Sequence, residues 1–236
     1  MSVTVQDCME AIADDLSVLS CRPAHAFNSY LAEGVLFDAG TRWAERRILR
    51  ELDDHPVDAH VISHAHCDHQ GSSAPVAAAL GTPVWAPAVE ADAVESGDIG
   101  PMGPDNLITR LQLRTWAGPG VPVARRLREG DEVAGFTVLE TPGHSPGHLS
   151  FWRERDRALL AFDVIFGRHP ITGKPGLFEP PDRFTIDPDR NRRQIIRLAA
   201  LEPEMVCFGH GPPLRRAAGP LGAFADSLSP APSSAR

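Results

Sequence analysis

The feature that most restricts the fold of this chain is a repeated pattern, a short apolar run that ends abruptly in a loop holding an acid or a histidine. The runs are rich in β-branched and aromatic residues, which is typical of strands. The pattern occurs in "GVLFDAG" (34–40), "AHVISHAHCDH" (59–69), "FTVLETPGH" (136–144), "RALLAFDVIF" (157–166) and "EMVCFGHG" (204–211). We therefore predict five strands whose C-terminal ends carry the chemically active side chains.

Helical segments alternate with these strands. Residues 41–55, 73–81 and 188–203 have a helix-compatible composition, and apolar residues recur at helical spacing in the first and last. The alternation predicts an α/β fold in which helices cover the sheets and polar side chains converge beyond one sheet edge. Two other segments are predicted to be irregular: the Gly- and Pro-rich residues 97–122, as an excursion or mobile loop, and the tail 215–236, as partly disordered.

Composition narrows the possible partners and the environment. The net charge of -8 disfavours a nucleic-acid backbone as partner. No apolar stretch approaches the ~20 residues that span a membrane, and the first residues carry acids where a secretory signal would carry bases. The four cysteines (Cys8, Cys21, Cys67 and Cys207) follow no repeated spacing, which favours free thiols over disulfides or a zinc ribbon. We expect a cytoplasmic protein with no nucleic-acid or membrane partner.

The stretch "SHAHCDH" concentrates three histidines and an aspartate in six positions, from His64 to His69. Neutral imidazole is a good zinc ligand, and a carboxylate adds charge neutralisation. If the strand extends through His64, the spacing of two turns His64 and His66 toward the same side, and a tight turn can then direct Asp68 and His69 to a neighbouring point. Two adjacent metal positions follow from this arrangement.

Distant strand ends add three more candidate ligands, His144, Asp163 and His210. Seven candidates suit two metal ions better than one. A carboxylate can bridge two cations, and metals ~3.5 to 4 Å apart can share a hydroxide and polarise a substrate together.

These motifs, in this order, resemble those of the metallo-β-lactamase superfamily. The resemblance rests on "NSYL" and "GVLFDAG" (within 28–40), "SHAHCDHQG" (63–71), "TPGHSPGHLSF" (141–151), "AFDVIFG" (161–167) and "CFGHGPP" (207–213), and it covers about residues 25 to 214. It implies an αββα sandwich, two mixed β-sheets with outer helices and a metal site at one edge. It also implies one domain over residues 1–214, followed by the tail 215–236.

The resemblance assigns roles to the candidate residues. It implies a first metal bound by His64, His66 and His144, a second metal bound by Asp68, His69 and His210, and Asp163 as the bridge. Asp38 matches a buried family aspartate that supports the metal-binding loops; the alternative is a turn residue at a strand end. His148 is expected to support ligands or to be structural. Cys67 lies where the family varies, which favours an inert, packed thiol over a ligand for soft metals.

The resemblance implies a dinuclear metal-dependent hydrolase of a carboxylic ester, thioester or lactone. A metal-bridging hydroxide would be the nucleophile, and Asp68 the catalytic carboxylate that orients it or relays its proton. The cofactors would be two divalent metal ions, with Zn²⁺ as the leading candidate and Fe or Mn as alternatives. The motif set resembles glyoxalase II and lactonases more than true β-lactamases, which generally lack the bridge. The alternatives are a mononuclear iron enzyme resembling persulfide dioxygenases, and a metal-binding module without catalysis.

Residues 164–187 are the predicted substrate-contacting segment. They mix three phenylalanines with three cations: Phe166, Phe178 and Phe184 with Arg168, Lys174 and Arg183. This mixture favours a small-molecule substrate that is partly apolar and anionic. The alternative is a Pro-rich surface excursion without specificity. Whether residues 164–187 or 97–122 shape the pocket, and how many chains assemble, the sequence leaves open.

Overall fold

Two β-sheets lie face to face with helices on both outer faces, which confirms the predicted αββα sandwich. This computed structural model describes residues 9–20 and 25–228. The strands are β1 (Met9–Ala13), β2 (Leu16–Ser20), β3 (Asn28–Ala32), β4 (Val35–Phe37), β5 (Ala59–Val61), β6 (Val84–Pro87), β7 (Val123–Leu127), β8 (Glu132–Val133), β9 (Phe136–Glu140), β10 (Leu149–Arg153), β11 (Ala158–Phe162), β12 (Phe166–Arg168), β13 (Pro175–Phe178), β14 (Met205–Phe208) and β15 (Leu214–Arg215). The helices are α1 (Glu45–Glu51), α2 (Ser73–Leu80), α3 (Ala91–Ser96), α4 (Leu107–Trp116), α5 (Pro188–Ala199) and α6 (Ala218–Leu228), with short 3₁₀ helices at Gly100–Met102 and Asp182–Phe184.

Both large sheets are mixed. The first has the order β1-β2-β3-β4-β5-β6-β7; it is antiparallel as far as β4 and parallel from β4 to β7. The second has the order β15-β14-β11-β10-β9-β8, and its β11–β14 pair is parallel. Parallel neighbours end at the same sheet edge. The loops after β4 and β5 therefore begin side by side, as do the loops after β11 and β14.

Alternation along the strands divides the apolar side chains between two layers. In β11, Leu160 and Phe162 join the core between the sheets, whereas Leu159 and Ala161 face the outer helices. Successive side chains of a strand point to opposite faces, so a strand buried on both sides needs a continuous apolar run. "ALLAF" is such a run, and full burial of each large apolar side chain contributes about 1.5–3 kcal/mol.

The helices cover the sheets with their apolar faces. Ile48 within α1 and Leu52 just after it pack with Val76 of α2 against Leu36 of the first sheet. Ile195 of α5 and Leu221 of α6 belong to the cluster over the second sheet. Each of the segments 41–55, 73–81 and 188–203 contains one of these helices, α1, α2 and α5, and each of the five predicted strand segments contains a strand, namely β4, β5, β9, β11 and β14.

The prediction of an irregular excursion over residues 97–122 was wrong in part, because α4 (Leu107–Trp116) lies within it. The side chain of Asn106 caps the helix by accepting hydrogen bonds from the backbone N–H groups of Ile108 and Thr109, both at 3.0 Å. The glycines and prolines flank this helix and do not interrupt it. The Gly and Pro content of the whole segment suggested a loop, although ten residues within it have the apolar spacing of a helix.

Within the tail that the sequence predicts to be partly disordered, residues 218–228 form α6. Leu221 and Ala225 are buried there against the second sheet. A helix with a buried apolar stripe is held by tertiary packing even where its own sequence is rich in Gly and Ala. Residues 229–236 lie outside the described residues.

Two observations concern the predicted environment of the chain. Cys67 and Cys207 are buried free thiols, as expected, whereas Cys8 and Cys21 lie outside the described residues. Burial raises the pKa of the Cys207 thiol, which keeps it protonated. No helix in the described part of the chain has the length and apolar character needed to cross a membrane.

His60 is a residue of β5 whose side chain contacts Ser73 at the start of α2. It is fully buried; its Nδ1–H donates to the carbonyl of Leu36 at 3.1 Å, and Ser73 Oγ donates to its Nε2 at 2.8 Å. Burial lowers the pKa of His60 below 6.5, although the Leu36 carbonyl and Asp38 act in the opposite direction. The unfolded chain therefore binds this proton more readily than the folded protein.

We expect His60→Gln to reduce the acid sensitivity of folding. For a histidine whose folded-state pKa is depressed, stability is fully present above the unfolded pKa and is lost as the pH falls below it. One such group contributes a slope of up to about 1.4 kcal/mol per pH unit below roughly pH 6.5. Urea unfolding of the apo protein at several pH values measures the slope for parent and variant. His55→Gln, at an exposed position, is the control, and equal slopes in all three proteins would contradict the prediction.

Candidate metal centre

The seven candidate ligands lie at one edge of the sandwich, just after four strands that the sequence pattern identified. His64, His66, Asp68 and His69 follow β5, His144 follows β9, Asp163 follows β11 and His210 follows β14. β5 belongs to the first sheet and β9, β11 and β14 belong to the second, but all four end at the same side of the sandwich. The site therefore depends on how the sheets are stacked as well as on each loop.

The structure brings these residues together in overlapping groups of three. Within each group the possible ligand atoms lie within 4.8 Å of one another. The first group is His64, His66 and His144; the second group is Asp68, His69 and His210; and a further set joins His64, His69 and Asp163. The division matches the one that the family resemblance implies, although the roles themselves stay predictions.

Asp163 lies between the two groups. Its Oδ2 is 3.4 Å from His144 Nε2 in the first group, and 3.4 and 3.0 Å from His69 Nε2 and His210 Nε2 in the second. The backbone at this point is unusual, since Phe162 has a φ of 47°. Gly209 is required beside it, because a Cβ there would collide with Asp163 Oδ1 and lie 2.7 Å from His69 Cε1.

Several buried polar atoms at the centre lack a hydrogen-bond partner among the described residues. They are His64 Nε2, His69 Nε2, His144 Nε2 and Asp163 Oδ1. A buried polar atom without a partner costs free energy, and such atoms are rare in native proteins. Nitrogen and carboxylate oxygen atoms that face one another in a buried space fit divalent cations such as zinc or iron.

The outer nitrogen of each candidate histidine is held by a hydrogen bond, which leaves the inner nitrogen for a metal. The partners are Ser63 Oγ for His64 Nδ1 (3.0 Å), Met102 O for His66 Nε2 (2.9 Å), Asp38 Oδ2 for His69 Nδ1 (2.7 Å), Thr185 Oγ1 for His144 Nδ1 (3.3 Å) and Ala26 O for His210 Nδ1 (2.6 Å). A carbonyl or carboxylate only accepts, and the hydroxyls of Ser63 and Thr185 donate their protons to Asp38 and to the Pro181 carbonyl, so all five partners accept from the ring and fix its tautomer. His66 thus differs from the others in presenting Nδ1.

Asp38 supports the loop, as the resemblance implies. It is fully buried, with a φ of 58°, and its carboxylate accepts hydrogen bonds from the backbone N–H of Ser63, the Ser63 hydroxyl and His69 Nδ1–H, all at 2.7 Å. It belongs to none of the three candidate ligand sets. Ser63 and Thr185, which the sequence did not identify as supporting residues, complete this outer layer. Serine and threonine are common residues, and only the fold shows that these two hydroxyls contact candidate ligands.

His148 also supports the centre and does not belong to a ligand group. Its Nε2 accepts a hydrogen bond from the Asp163 backbone N–H at 3.2 Å, and its Nδ1 lies 2.9 Å from Thr141 Oγ1. Burial, opposed by the Asp163 carboxylate, lowers the pKa of His148 to about 3. The ring is therefore neutral at physiological pH and able to accept the hydrogen bond from Asp163.

Electrostatics differ between the two groups. Burial lowers the pKa of His64 and of His144 well below 6.5, which keeps these rings neutral. Burial also acts to lower the pKa of His69, but the carboxylates of Asp163 and Asp38 raise it well above 6.5. Nearby carboxylates therefore favour the protonated form of His69 in the second group, whereas burial keeps His64 and His144 of the first group neutral.

A cavity of about 240 Å³ opens onto both groups. Its walls include Phe27, Leu113, Trp116, Phe166 and Phe184, and Arg168 is the arginine that lines it. Residues 97–122 and residues 164–187 both contribute to these walls, which answers the question that the sequence left open. Of the predicted contact residues, Phe178, Lys174 and Arg183 do not line this cavity.

Cys67 lines the cavity as well but is only 7% exposed. It packs with Ile62, Ala65 and Ala77 beneath the loop. Burial, reinforced by the Asp68 carboxylate, raises the pKa of the Cys67 thiol. This agrees with the expectation of an inert, packed thiol.

Comparison with known proteins identifies the family. A profile of the metallo-beta-lactamase superfamily matches residues 26–210, well over half of the chain. The chain belongs to the metallo-β-lactamase superfamily. The probable metallo-hydrolase YflN of Bacillus subtilis is 28% identical over 201 residues, which cover 76% of each chain.

Two other similar proteins bear on the chemistry. The hydroxyacylglutathione hydrolase of Bdellovibrio bacteriovorus is 32% identical over 112 residues, which are 45% of this chain and 34% of that protein. The crystal structure of TTHA1623 in a di-iron-bound form superposes with a TM-score of 0.63 at 30% identity, covering 85% of this chain and 95% of that one. Superfamily membership and these metallo-hydrolase relatives identify the protein as a metal-dependent hydrolase.

We expect Asp38→Asn to weaken metal binding in the second group. The amide NH₂ of asparagine can replace Oδ2 beside His69, and the ring would then protonate on the nitrogen that faces the metal. Changes to such outer partners typically cost 10–100-fold in metal affinity. Competition with a chromogenic chelator measures this loss. Asp54→Asn, at an exposed position, is the control, and parent-like affinity in Asp38→Asn would refute the supporting role.

Proposed function

We propose that this chain is a dinuclear metal-dependent hydrolase of carboxylic esters, thioesters or lactones. The observation that carries the proposal is the position of Asp163, whose carboxylate reaches nitrogen atoms of both groups within 3.4 Å. One cation needs three or four protein ligands, whereas seven candidates, Asp163 among them, lie together here. His64, His66 and His144 would hold one ion, Asp68, His69 and His210 the other, and Asp163 would contact both. Zinc is the leading candidate, with iron or manganese as alternatives.

Divalent cations in such a site supply Lewis acidity, lower the pKa of a water molecule and stabilise negative charge on a substrate oxygen. The chain's own contribution is positioning. Asp68 lines the cavity, and its Oδ2 lies 3.4 Å from His210 Nε2; this position supports a role in which its carboxylate would orient a water molecule and accept its proton. The aromatic walls would limit the access of bulk water to the substrate carbonyl.

The carbonyl substrate class is supported by two features. The hydroxyacylglutathione hydrolases among the relatives cleave thioesters, and the mostly apolar cavity suits an acyl group. A tyrosine that assists the carbonyl is excluded, since the only tyrosine is Tyr30 and its hydroxyl donates to the Phe208 carbonyl at 2.7 Å inside the sandwich. In this proposal the metal ions, and not a tyrosine, would polarise the substrate carbonyl.

The proposal is tested by metal analysis and a substrate panel. Protein purified without chelators is expected to carry about two metal ions per chain and to hydrolyse aryl esters, thioesters or lactones. Asp163→Asn keeps the size but loses the shared charge, so we expect one metal ion to be lost and turnover to fall by orders of magnitude. Atomic emission and initial rates provide the measurements.

Three results would contradict this proposal. A single iron with oxygen consumption on glutathione persulfide would favour the dioxygenase alternative. Cleavage of RNA or of β-lactams alone would overturn the substrate class. Two tightly bound metals and normal turnover in Asp163→Asn would remove the bridge.

Arg168 favours a substrate with an anionic group. Its side chain lines the cavity, is partly buried, and forms no ion pair with a carboxylate among the described residues. An unpaired guanidinium beside apolar walls is a binding partner for a carboxylate or phosphate. We propose that it binds such a group on the side of the substrate away from the scissile carbonyl.

We expect Arg168→Met to lower kcat/KM by about 10–100-fold for an anionic ester, because a charge-assisted hydrogen bond contributes about 1.5–3 kcal/mol. A neutral ester of the same size should be hydrolysed at the parent rate. Lys174→Met removes an exposed cation of the same segment that does not line the cavity, and it should change neither value. Equal losses on the two esters would show that Arg168 does not select for charge.

A further inference from the structure

Glu90 is a fully buried carboxylate immediately before α3. Its Oε2 accepts a hydrogen bond from the backbone N–H of Ala65 at 2.5 Å. Its Oε1 accepts from the backbone N–H of Gly147 at 2.7 Å and from the Ser145 hydroxyl at 2.5 Å. No ion pair to a described cation offsets this buried charge, so the three donors carry its compensation.

All three donors lie in the loops that carry the first group. Ala65 stands between His64 and His66, and Ser145 directly follows His144. The first loop follows β5 of one sheet, and the second joins β9 to β10 of the other. A single side chain therefore ties together the two halves of the sandwich at the place where His64, His66 and His144 must meet. We propose that Glu90 is the positioning residue of the first group.

The loop around Gly147 is shaped to reach this carboxylate. A Cβ on Gly147 would lie 2.9 Å from Glu90 Cγ and 2.8 Å from Val89 Cβ, so only glycine allows this approach. The contact therefore depends on the absence of a side chain at Gly147 as well as on the three hydrogen-bond donors. In the sequence, Glu90 is one of several acids in "VEADAVESGD", with nothing to mark it.

Glu90 acts most directly on the first group, because its bonds go to the neighbours of His64, His66 and His144, although Asp68 and His69 share the loop of Ala65. His69 is held by Asp38 and His210 by the Ala26 carbonyl, and neither bond involves Glu90. Glutamine at position 90 would offer one oxygen in place of two. If that oxygen keeps its bonds to Ser145 and Gly147, the amide NH₂ faces the N–H of Ala65, between the two histidines. In the reverse orientation the Ser145 hydroxyl can accept from the NH₂, but the N–H of Gly147 faces it without an acceptor, so either arrangement displaces one of the loops.

The experiment measures metal affinity in backgrounds that isolate each group. His210→Ala leaves the first group, and Co²⁺ titration then reports one affinity and a visible absorption spectrum. Adding Glu90→Gln should weaken this affinity by about 10–100-fold and change the spectrum, as expected for loss of an outer positioning contact. In a His64→Ala background, which leaves the second group, Glu90→Gln should leave the affinity unchanged. Asp92→Asn, an exposed acid of the same helix paired with Arg126, is the matched control.

Two results would overturn the inference. One is parent-like affinity and spectrum of the first group in Glu90→Gln, and the other is equal weakening of both groups, which indicates a general loss of structure. If Glu90→Gln does not fold, Ser145→Ala removes one donor and keeps the carboxylate. Ser145→Ala should lower the Co²⁺ affinity of the first group by a smaller factor and leave the affinity of the second group unchanged. An unchanged first-group affinity would overturn the inference.

The inference rests on the proposed two-group metal centre, but its failure is distinguishable from the failure of that proposal. A single metal ion in the fully loaded parent protein would contradict the dinuclear centre. Parent-like first-group affinity in the Glu90 variant would contradict only the role of Glu90. Because metal affinity is measured without substrate, the outcome does not depend on which ester is hydrolysed.

Discussion

The structure depends on a buried space in which imidazole nitrogens and carboxylate oxygens face one another. Such atoms cannot satisfy one another fully, as the unpartnered Nε2 atoms of His64, His69 and His144 and the Oδ1 of Asp163 show. Cations would relieve this cost, but only if the atoms are held in place beforehand. Much of the surrounding structure serves that purpose: hydroxyl, carbonyl and carboxylate partners hold the outer side of the rings.

Two buried acids organise this support in parallel ways. Asp38 bonds to Ser63 and His69 and thereby positions the second group. Glu90 bonds to Ala65, Ser145 and Gly147 and holds together the loops of the first group. Each carboxylate has several hydrogen-bond donors, because a buried charge is tolerated only when such bonds replace its hydration. Neither of these two carboxylates belongs to a candidate ligand group.

Above the centre, the cavity combines apolar walls with a single arginine. α4 provides Leu113 and Trp116, and the segment after Asp163 provides Phe166, Arg168 and Phe184. The two segments come from opposite halves of the chain, next to ligands of both groups. Among the described residues, wall residues such as Leu113, Trp116 and Arg168 form no hydrogen bond to a candidate ligand, so variation at these positions would change the cavity and leave the ligands in place, which is how one fold serves many reactions.

The sequence by itself predicted five of the strands, an α/β fold and the seven candidate ligands, and the resemblance to a known family added the αββα layering. The strands and ligands are local signals: burial on both faces makes a continuous apolar run such as "ALLAF", and a metal site needs histidines and acids at strand ends. Only the tertiary structure showed α4 and α6, the part of the cavity wall that α4 provides, and the contacts of Glu90. The α4 segment was hidden by the glycines and prolines around it, and α6 is held by Leu221 and Ala225 against the second sheet. Glu90 shows the reason most clearly, because its partners lie 25 and 55 to 57 residues away, and no local pattern records a contact that forms only when two sheets pack together.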